Sequence, residues 1–173
     1  MIKIIAGKYK GRKLTYIDSK DVRPTQARVK KSVFDILGPL NGKSVLDLFA
    51  GVGSLGIESL SRGASELTAV ELNSKVFKIL LNNINTICSS DKVKLQRMSV
   101  NKFLNMNKQK FDLIFADPPY GKFSFNEIKE LASGFIKKDG TLCIEMEKTK
   151  IKNDDEFRIK HYGNTQVIFC QIN

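Results

Sequence analysis

Asp117, Pro118, Pro119 and Tyr120 stand in a row directly after the apolar run Phe111-Asp112-Leu113-Ile114-Phe115-Ala116. The aspartate brings a carboxylate, the prolines bring carbonyls without N–H groups, and the tyrosine brings a flat ring. The quartet therefore offers hydrogen-bond acceptors beside a stacking surface. That combination suits a planar amine on an aromatic ring, such as the exocyclic amino group of a nucleobase. Taken alone, Asp-Pro-Pro reads equally well as a turn.

A second constellation weighs on the choice. Gly51, Gly53 and Gly56 have GxGxxG spacing, with Asp47 four residues before the first of them and Glu71 24 residues after Asp47. A glycine loop opening a helix commonly cradles a pyrophosphate, as in nicotinamide enzymes, and a fixed carboxylate close by would oppose that anion. A cofactor carrying an ammonium and a sulfonium is instead drawn to the carboxylate, and S-adenosylmethionine is such a molecule. Glu71 is placed to accept from ribose hydroxyls. The bland reading of Asp47 is a capping or surface acid, but between apolar residues an unpaired carboxylate is costly. The two sites together imply methyl transfer to an amine. Asp117 and the Pro118 carbonyl would hold the two amine hydrogens and aim the nitrogen lone pair at the methyl group, so that positioning and local electrostatics carry the rate. The attacked amine becomes acidic as the bond forms, so no histidine base is required, and His161 is the single histidine in the chain.

These residues need strands and helices to carry them. The Ile- and Phe-rich run from Phe111 reads as a strand buried on both faces and halted by Pro118, which delivers Asp117 to its C-terminal end. Ser44 to Phe49 reads as a first buried strand, with a helix from about Ser54 to Arg62 stopped by Gly63. Leu67 to Glu71 is a second strand, and Asn73 then caps a helix with the apolar set Val76, Phe77, Leu80, Leu81 and Ile84. Val93 to Leu95 is a short third strand. After the Phe111 strand, a helix carrying Ile128, Leu131, Phe135 and Ile136 leads to Gly140 and a fifth strand from Thr141 to Met146. Glu147 to Glu156 reads as an exposed connection. Phe157 to His161 and Gln166 to Ile172 read as a hairpin around Gly163-Asn164. Alternating strands and helices imply an α/β sandwich on a mainly parallel sheet, with the last hairpin antiparallel. Ahead of this, residues 1–17 read as a small hairpin (Ile2 to Ile5, Arg12 to Tyr16), Asp18 to Pro24 as a linker, and Thr25 as the cap of a helix ending at Gly38-Pro39. The division expected is a basic hairpin extension over residues 1–24 and a catalytic domain over 25–173.

The charge is segregated. Lys and Arg outnumber Asp and Glu by 29 to 18, a net +11, and residues 1–43 hold eleven of the cations against three acids. A basic end of this kind is the footprint of a polyanion binder, against the alternatives of solvated surface or a drift in composition. Lys8, Lys10, Arg12, Lys13, Arg23, Thr25, Arg28, Lys30 and Lys31 are the candidate RNA contacts. Cys88, Cys143 and Cys170 form no CxxC pair and fit reduced interior thiols, so neither disulfides nor a metal site is expected. With no apolar run near the ~20 residues of a membrane span and no leader pattern, the expectation is a cytoplasmic protein that does not engage membrane.

The chain resembles the RsmD family of bacterial methyltransferases. The resemblance rests on Ile5-Ala6-Gly7-Lys8-Tyr9-Lys10-Gly11-Arg12-Lys13-Leu14, Arg23-Pro24-Thr25, Arg28-Val29-Lys30, Leu46-Asp47-Leu48-Phe49-Ala50-Gly51, Leu60-Ser61-Arg62-Gly63-Ala64, Asp117-Pro118-Pro119-Tyr120 and Tyr162-Gly163-Asn164-Thr165. It implies a class I methyltransferase fold, Rossmann-like, with a seven-stranded sheet. It implies S-adenosylmethionine as donor and Asp117 to Tyr120 as the catalytic tetrapeptide. It also implies methylation of the exocyclic N2 of a guanine in 16S ribosomal RNA, guanine 966 in the family's designation, within an assembled or assembling 30S subunit. The cofactor contacts it implies are Asp47, Phe49, Ala50, Gly51, Gly53, Glu71, Leu72, Ser99, Val100 and Asp117. A monomer is expected. Ser99 departs from relatives that carry an acid or amide for the adenine amino group, which shifts adenine binding toward backbone near Val100. Val52 and Lys31 depart at a small hydroxyl residue and a frequent Glu. The competing readings are an amino methyltransferase acting on DNA adenine or another RNA, and a non-catalytic RNA-binding assembly factor.

Overall fold

The computed structural model describes residues 2–16, 27–151 and 157–171. The expected Thr25 cap, the linker, Arg23 and the end of the last strand at Ile172 lie outside them. A two-stranded ribbon, β1 (Ile2–Lys3) and β2 (Lys13–Leu14), precedes α1 (Ala27–Leu37). The main body is β3 (Ser44–Asp47), α2 (Ser54–Ser61), β4 (Glu66–Val70), α3 (Ser74–Ile87), β5 (Val93–Gln96), α4 (Val100–Met106), β6 (Phe111–Ala116), α5 (Phe125–Ser133) and β7 (Ile136–Glu147), closed by β8 (Phe157–Tyr162) and β9 (Thr165–Gln171). The large sheet runs β5-β4-β3-β6-β7-β9-β8. Strands β3 to β7 pair in parallel, and β9 is antiparallel to both β7 and β8.

This order follows from the pattern of apolar residues. Central strands alternate between two buried faces. On β6, Leu113 and Phe115 join a core under α1, α2 and α3, while Ile114 and Ala116 join a second core under α4 and α5. Phe115 meets Phe34 of α1 at 5.8 Å between ring centroids. Strand order reverses between β3 and β6, where Leu48 N donates to Phe115 O at 3.0 Å, and at such a switch point the strand ends open a crevice.

Five local expectations need correction. The N-terminal strands are two residues long because the backbone that would extend them bonds elsewhere: Ile5 N and Ala6 N donate to the Glu58 carboxylate, and Thr15 exchanges two hydrogen bonds with Asn83. Phe135 and Ile136 are not helical. Helix α5, begun by a Ser124–Glu127 capping box, stops at Ser133, and Ile136 opens β7 opposite Phe111. Gly140 lies in a bulge of β7, where a Cβ would stand 2.8 Å from Lys137 O and 3.1 Å from Asp112 O, so it makes room for neighbouring backbone rather than stopping a helix. Helix α4, capped by Ser99 and burying Val100, Phe103 and Leu104, was not expected, although that spacing is helical.

Lys30 is the fifth. Expected to meet RNA, it is 1% exposed, donates to Lys3 O at 2.8 Å and sits 3.4 Å from Glu58, itself fully buried. It cannot touch phosphate without unfolding this region.

Candidate active site at the tips of the central strands

The parallel sheet presents the C-terminal ends of β3, β4 and β6 side by side, so Asp47, Glu71 and Asp117 reach one edge from three positions far apart in sequence. Between β3 and α2 the chain turns through Gly51 and Gly53, both at positive φ, and Gly53 occupies the N-cap of α2. Gly56 serves packing: a Cβ there would lie 2.8 Å from Leu67 and 3.4 Å from Asp47 Oδ2. Its absence lets α2 press onto β3 and β4. Ala50 N donates to Val70 O at 2.9 Å, which ties the loop to β4.

Asp47 is 1% exposed, and its Oδ1 has no hydrogen-bond partner among the described residues. Burial pushes its carboxyl up to about 7, Glu71's charge adds to that, and the Gly56 and Phe49 backbone N–H groups oppose it. Glu71 is half-buried and already employed: it accepts from Gly51 N at 3.0 Å and Asn73 N at 2.6 Å. The same carboxylate therefore shapes the glycine loop as well as facing the crevice. Leu72, immediately after it, is 67% exposed, an apolar surface beside the crevice. Phe49 lies edge-on to Phe123 at 5.5 Å. Ser99 is half-buried, and its hydroxyl accepts from Lys102 N at 3.3 Å as the cap of α4. Val100 is buried behind it. An orphaned acceptor, glycine backbone and an exposed leucine, gathered at the switch point, fit a cationic cofactor with an apolar ring.

Asp117 follows β6 directly. Its carboxyl is held well above the ordinary range by burial first, then by the charges of Glu145 and Asp47. Pro118 is buried, while Pro119 and Tyr120 are exposed. Tyr120 does not swing freely: its hydroxyl lies 2.9 Å from Thr165 Oγ1 at the start of β9. The hairpin turn is held in turn by Lys148 N donating to Asn164 O at 2.8 Å, and Tyr162 bonds Ser32 of α1. The Tyr162 to Thr165 motif thus braces the tetrapeptide from the neighbouring strands. A cleft of about 550 Å³ opens on the α5 side of Pro118 to Tyr120, bounded also by Phe123, Phe157 and the chain after β7, and no residue of the glycine loop lines it.

Sequence reasoning missed Glu145, Phe123 and Thr165. Glu145 carries the same signal as Asp47, an acid set inside an apolar strand, and was readable on that ground. Thr165 was not, because its role depends on which strand β9 joins.

The basic candidates divide. Lys10, Lys13 and Arg28 are exposed. Lys8 is ion-paired with Asp91, Arg12 donates to Thr86 O, and Lys31 pairs with Asp35 at 2.7 Å, all at the surface. Asp91 precedes β5, so Lys8 and the ribbon's tip lie at the N-terminal edge of the sheet, away from Asp117. Among the described residues no helix is long and apolar enough to cross a membrane, and no group of His, Cys, Asp and Glu could hold a metal ion.

Against known proteins, the family model described as Conserved hypothetical protein 95 matches residues 2–171. The chain is 39% identical over 158 residues to Ribosomal RNA small subunit methyltransferase D of Haemophilus influenzae, covering 86% of this chain and 80% of that one. It is 32% identical over 149 residues to the protein of the same name from Escherichia coli, covering 84% and 75%. The solved yhhF protein of Escherichia coli superposes with a TM-score of 0.87 at 28% identity, covering 99% and 98%. A family model spanning nearly every residue, and relatives aligned over most of both lengths, place this chain in the Conserved hypothetical protein 95 family, the RsmD family.

Proposed function

We propose that this protein transfers a methyl group from S-adenosylmethionine to the exocyclic N2 of a guanine in 16S ribosomal RNA, guanine 966 in the family's designation. The observation that carries the reading is the adjacency of β3 and β6. It sets the tip bearing Asp117, Pro118 and Tyr120 beside the glycine loop and the Asp47 oxygen that has no partner among the described residues. S-adenosylmethionine supplies an electrophilic methyl group when bound. Asp47 would hold its positive end, Glu71 its ribose hydroxyls, and Leu72, Ser99 and Val100 would border its adenine.

The chain's own part in transfer is to hold the amine. The Asp117 carboxylate and the Pro118 carbonyl accept its two hydrogens, and Pro118 and Pro119 supply no N–H that would compete. Tyr120, fixed by Thr165, stacks on the base; stacking of this kind is worth about 1–3 kcal/mol. Burial first, and then the charges of Glu145 and Asp47, raise the proton affinity of Asp117, which suits it to a nitrogen that turns acidic as it is methylated. The substrate proposed is the assembled or assembling 30S subunit in the cytoplasm, and the enzyme a monomer that needs no metal.

The test is transfer of label from S-adenosylmethionine to 30S particles taken from a strain without the enzyme, followed by nucleoside mass spectrometry. N2-methylguanosine is expected. Label on adenine, or on DNA alone, overturns the proposal.

A further inference from the structure

The edge that carries the chemistry holds the buried or half-buried acids Asp47, Glu71, Asp117 and Glu145, as a cationic cofactor requires, with the exposed Arg97, Lys122, Lys148 and Lys150 around them. The opposite edge gathers lysines of its own. Lys43, Lys108 and Lys110 precede the parallel strands β3 and β6, Lys138 lies in the bulge at the start of β7, and Lys10 is carried by the ribbon packed against this edge. Four of these five are exposed and Lys43 is half-buried, and none has an acid partner among the described residues. Among the described residues that start these strands, Glu66, Asp91 and Asp112 are already matched by Lys92, Lys8 and Lys137, and Asp139 stands beside the unmatched group. Like charges gathered this way repel one another unless an anion covers them.

We propose that the N-terminal edge of the parallel sheet is a second RNA-contact surface, gripping the phosphodiester backbone of a segment other than the one that delivers the target base. This rests on the reading that the substrate is RNA. Strand β6 has six residues, so the two edges lie roughly 20 Å apart at about 3.3 Å per residue. A short strand entering the active site does not span both edges, whereas a folded RNA does. The surface thus selects a structured substrate, by charge and without reading sequence.

The experiment compares the unmodified protein with Lys110→Glu/Lys138→Glu and, independently, Lys43→Gln/Lys108→Gln. Affinity is measured across a salt series for protein-free 16S RNA and for a short oligoribonucleotide carrying the target guanine. Each pair is expected to lower the slope of log affinity against log salt by about 2 on the long RNA and to weaken binding there on the order of tenfold, with binding of the oligonucleotide unchanged. An unaltered slope on the long RNA, or equal losses on both RNAs, overturns the proposal. Methyl transfer by the unmodified protein to 30S particles is followed in parallel; its failure would defeat the functional reading and leave the binding comparison to stand or fall alone.

Discussion

Glu58 and Asp47 are both buried carboxylates on the same side of the sheet, and they differ in whether the protein completes them. Glu58, on α2, accepts from Ile5 N at 2.7 Å, Ala6 N at 3.0 Å and Arg62 Nε at 2.8 Å, with Lys30 Nζ at 3.4 Å. Asp47, on β3 with its Oδ2 beside Gly56 of the same helix, has an oxygen that no donor meets among the described residues. A buried charge that is fully answered is a fastener; here it binds the N-terminal ribbon and α1 to α2. One left partly unanswered costs stability, and a site that keeps it gains that cost back only when a ligand arrives.

The comparison breaks most sharply at Glu58. Removing its carboxylate leaves Lys30 buried without its counter-ion and two backbone donors unpaired, so Glu58→Ala is expected to lose about 3–5 kcal/mol in urea unfolding. A loss under 1 kcal/mol would mean the cluster is not a fastener. At the open end of the contrast, Asp117→Ala is expected to cut methyl transfer on the order of 10²- to 10³-fold with cofactor affinity nearly intact. Turnover near the unmodified rate would remove Asp117 from the site.

Asp47→Asn is expected to leave stability equal or higher and to weaken S-adenosylmethionine by about 10- to 100-fold in calorimetry. The pH dependence sharpens the same point. The folded carboxyl titrates at about 7 against an ordinary 3.8, so the folded state holds the extra proton and Asp47's contribution to stability falls as pH rises between those values. Cofactor affinity runs the other way, falling as pH drops below 7 by up to tenfold per unit, and Asp47→Asn should flatten it. A profile unchanged by the substitution would assign the titration elsewhere. The smallest effect is at Thr165→Val, which frees the Tyr120 hydroxyl and is expected to raise the KM for RNA a few-fold with stability within about 0.5 kcal/mol.

Lys30 shows where a sequence misleads. On α1 it sits beside Val29 in a stretch rich in cations, and a lysine there reads as surface. Its burial depends on Glu58, 28 residues on, and on a carbonyl of β1, neither visible in local spacing. Helix α4 and the end of α5 failed for a milder reason: short helices carry few periods, and Phe135 and Ile136 continued an apolar rhythm that Gly134 and the pairing of Ile136 with Phe111 interrupt. Asp117 was legible because proline ends a strand without help from anything distant, and the glycine loop because its spacing is set by one turn.

Local chemistry in the chain determined which residues end strands, which turns need glycine, and which acids lie in apolar surroundings. Those are properties of a few neighbouring side chains and the backbone between them. Tertiary structure decided which strand tips meet, which buried carboxylate finds donors, and that Lys43, Lys108, Lys110 and Lys138, far apart in sequence, share one edge of the sheet. Each of those depends on pairing between segments tens of residues apart, and solvation and counter-charge are settled only once the partners are in place.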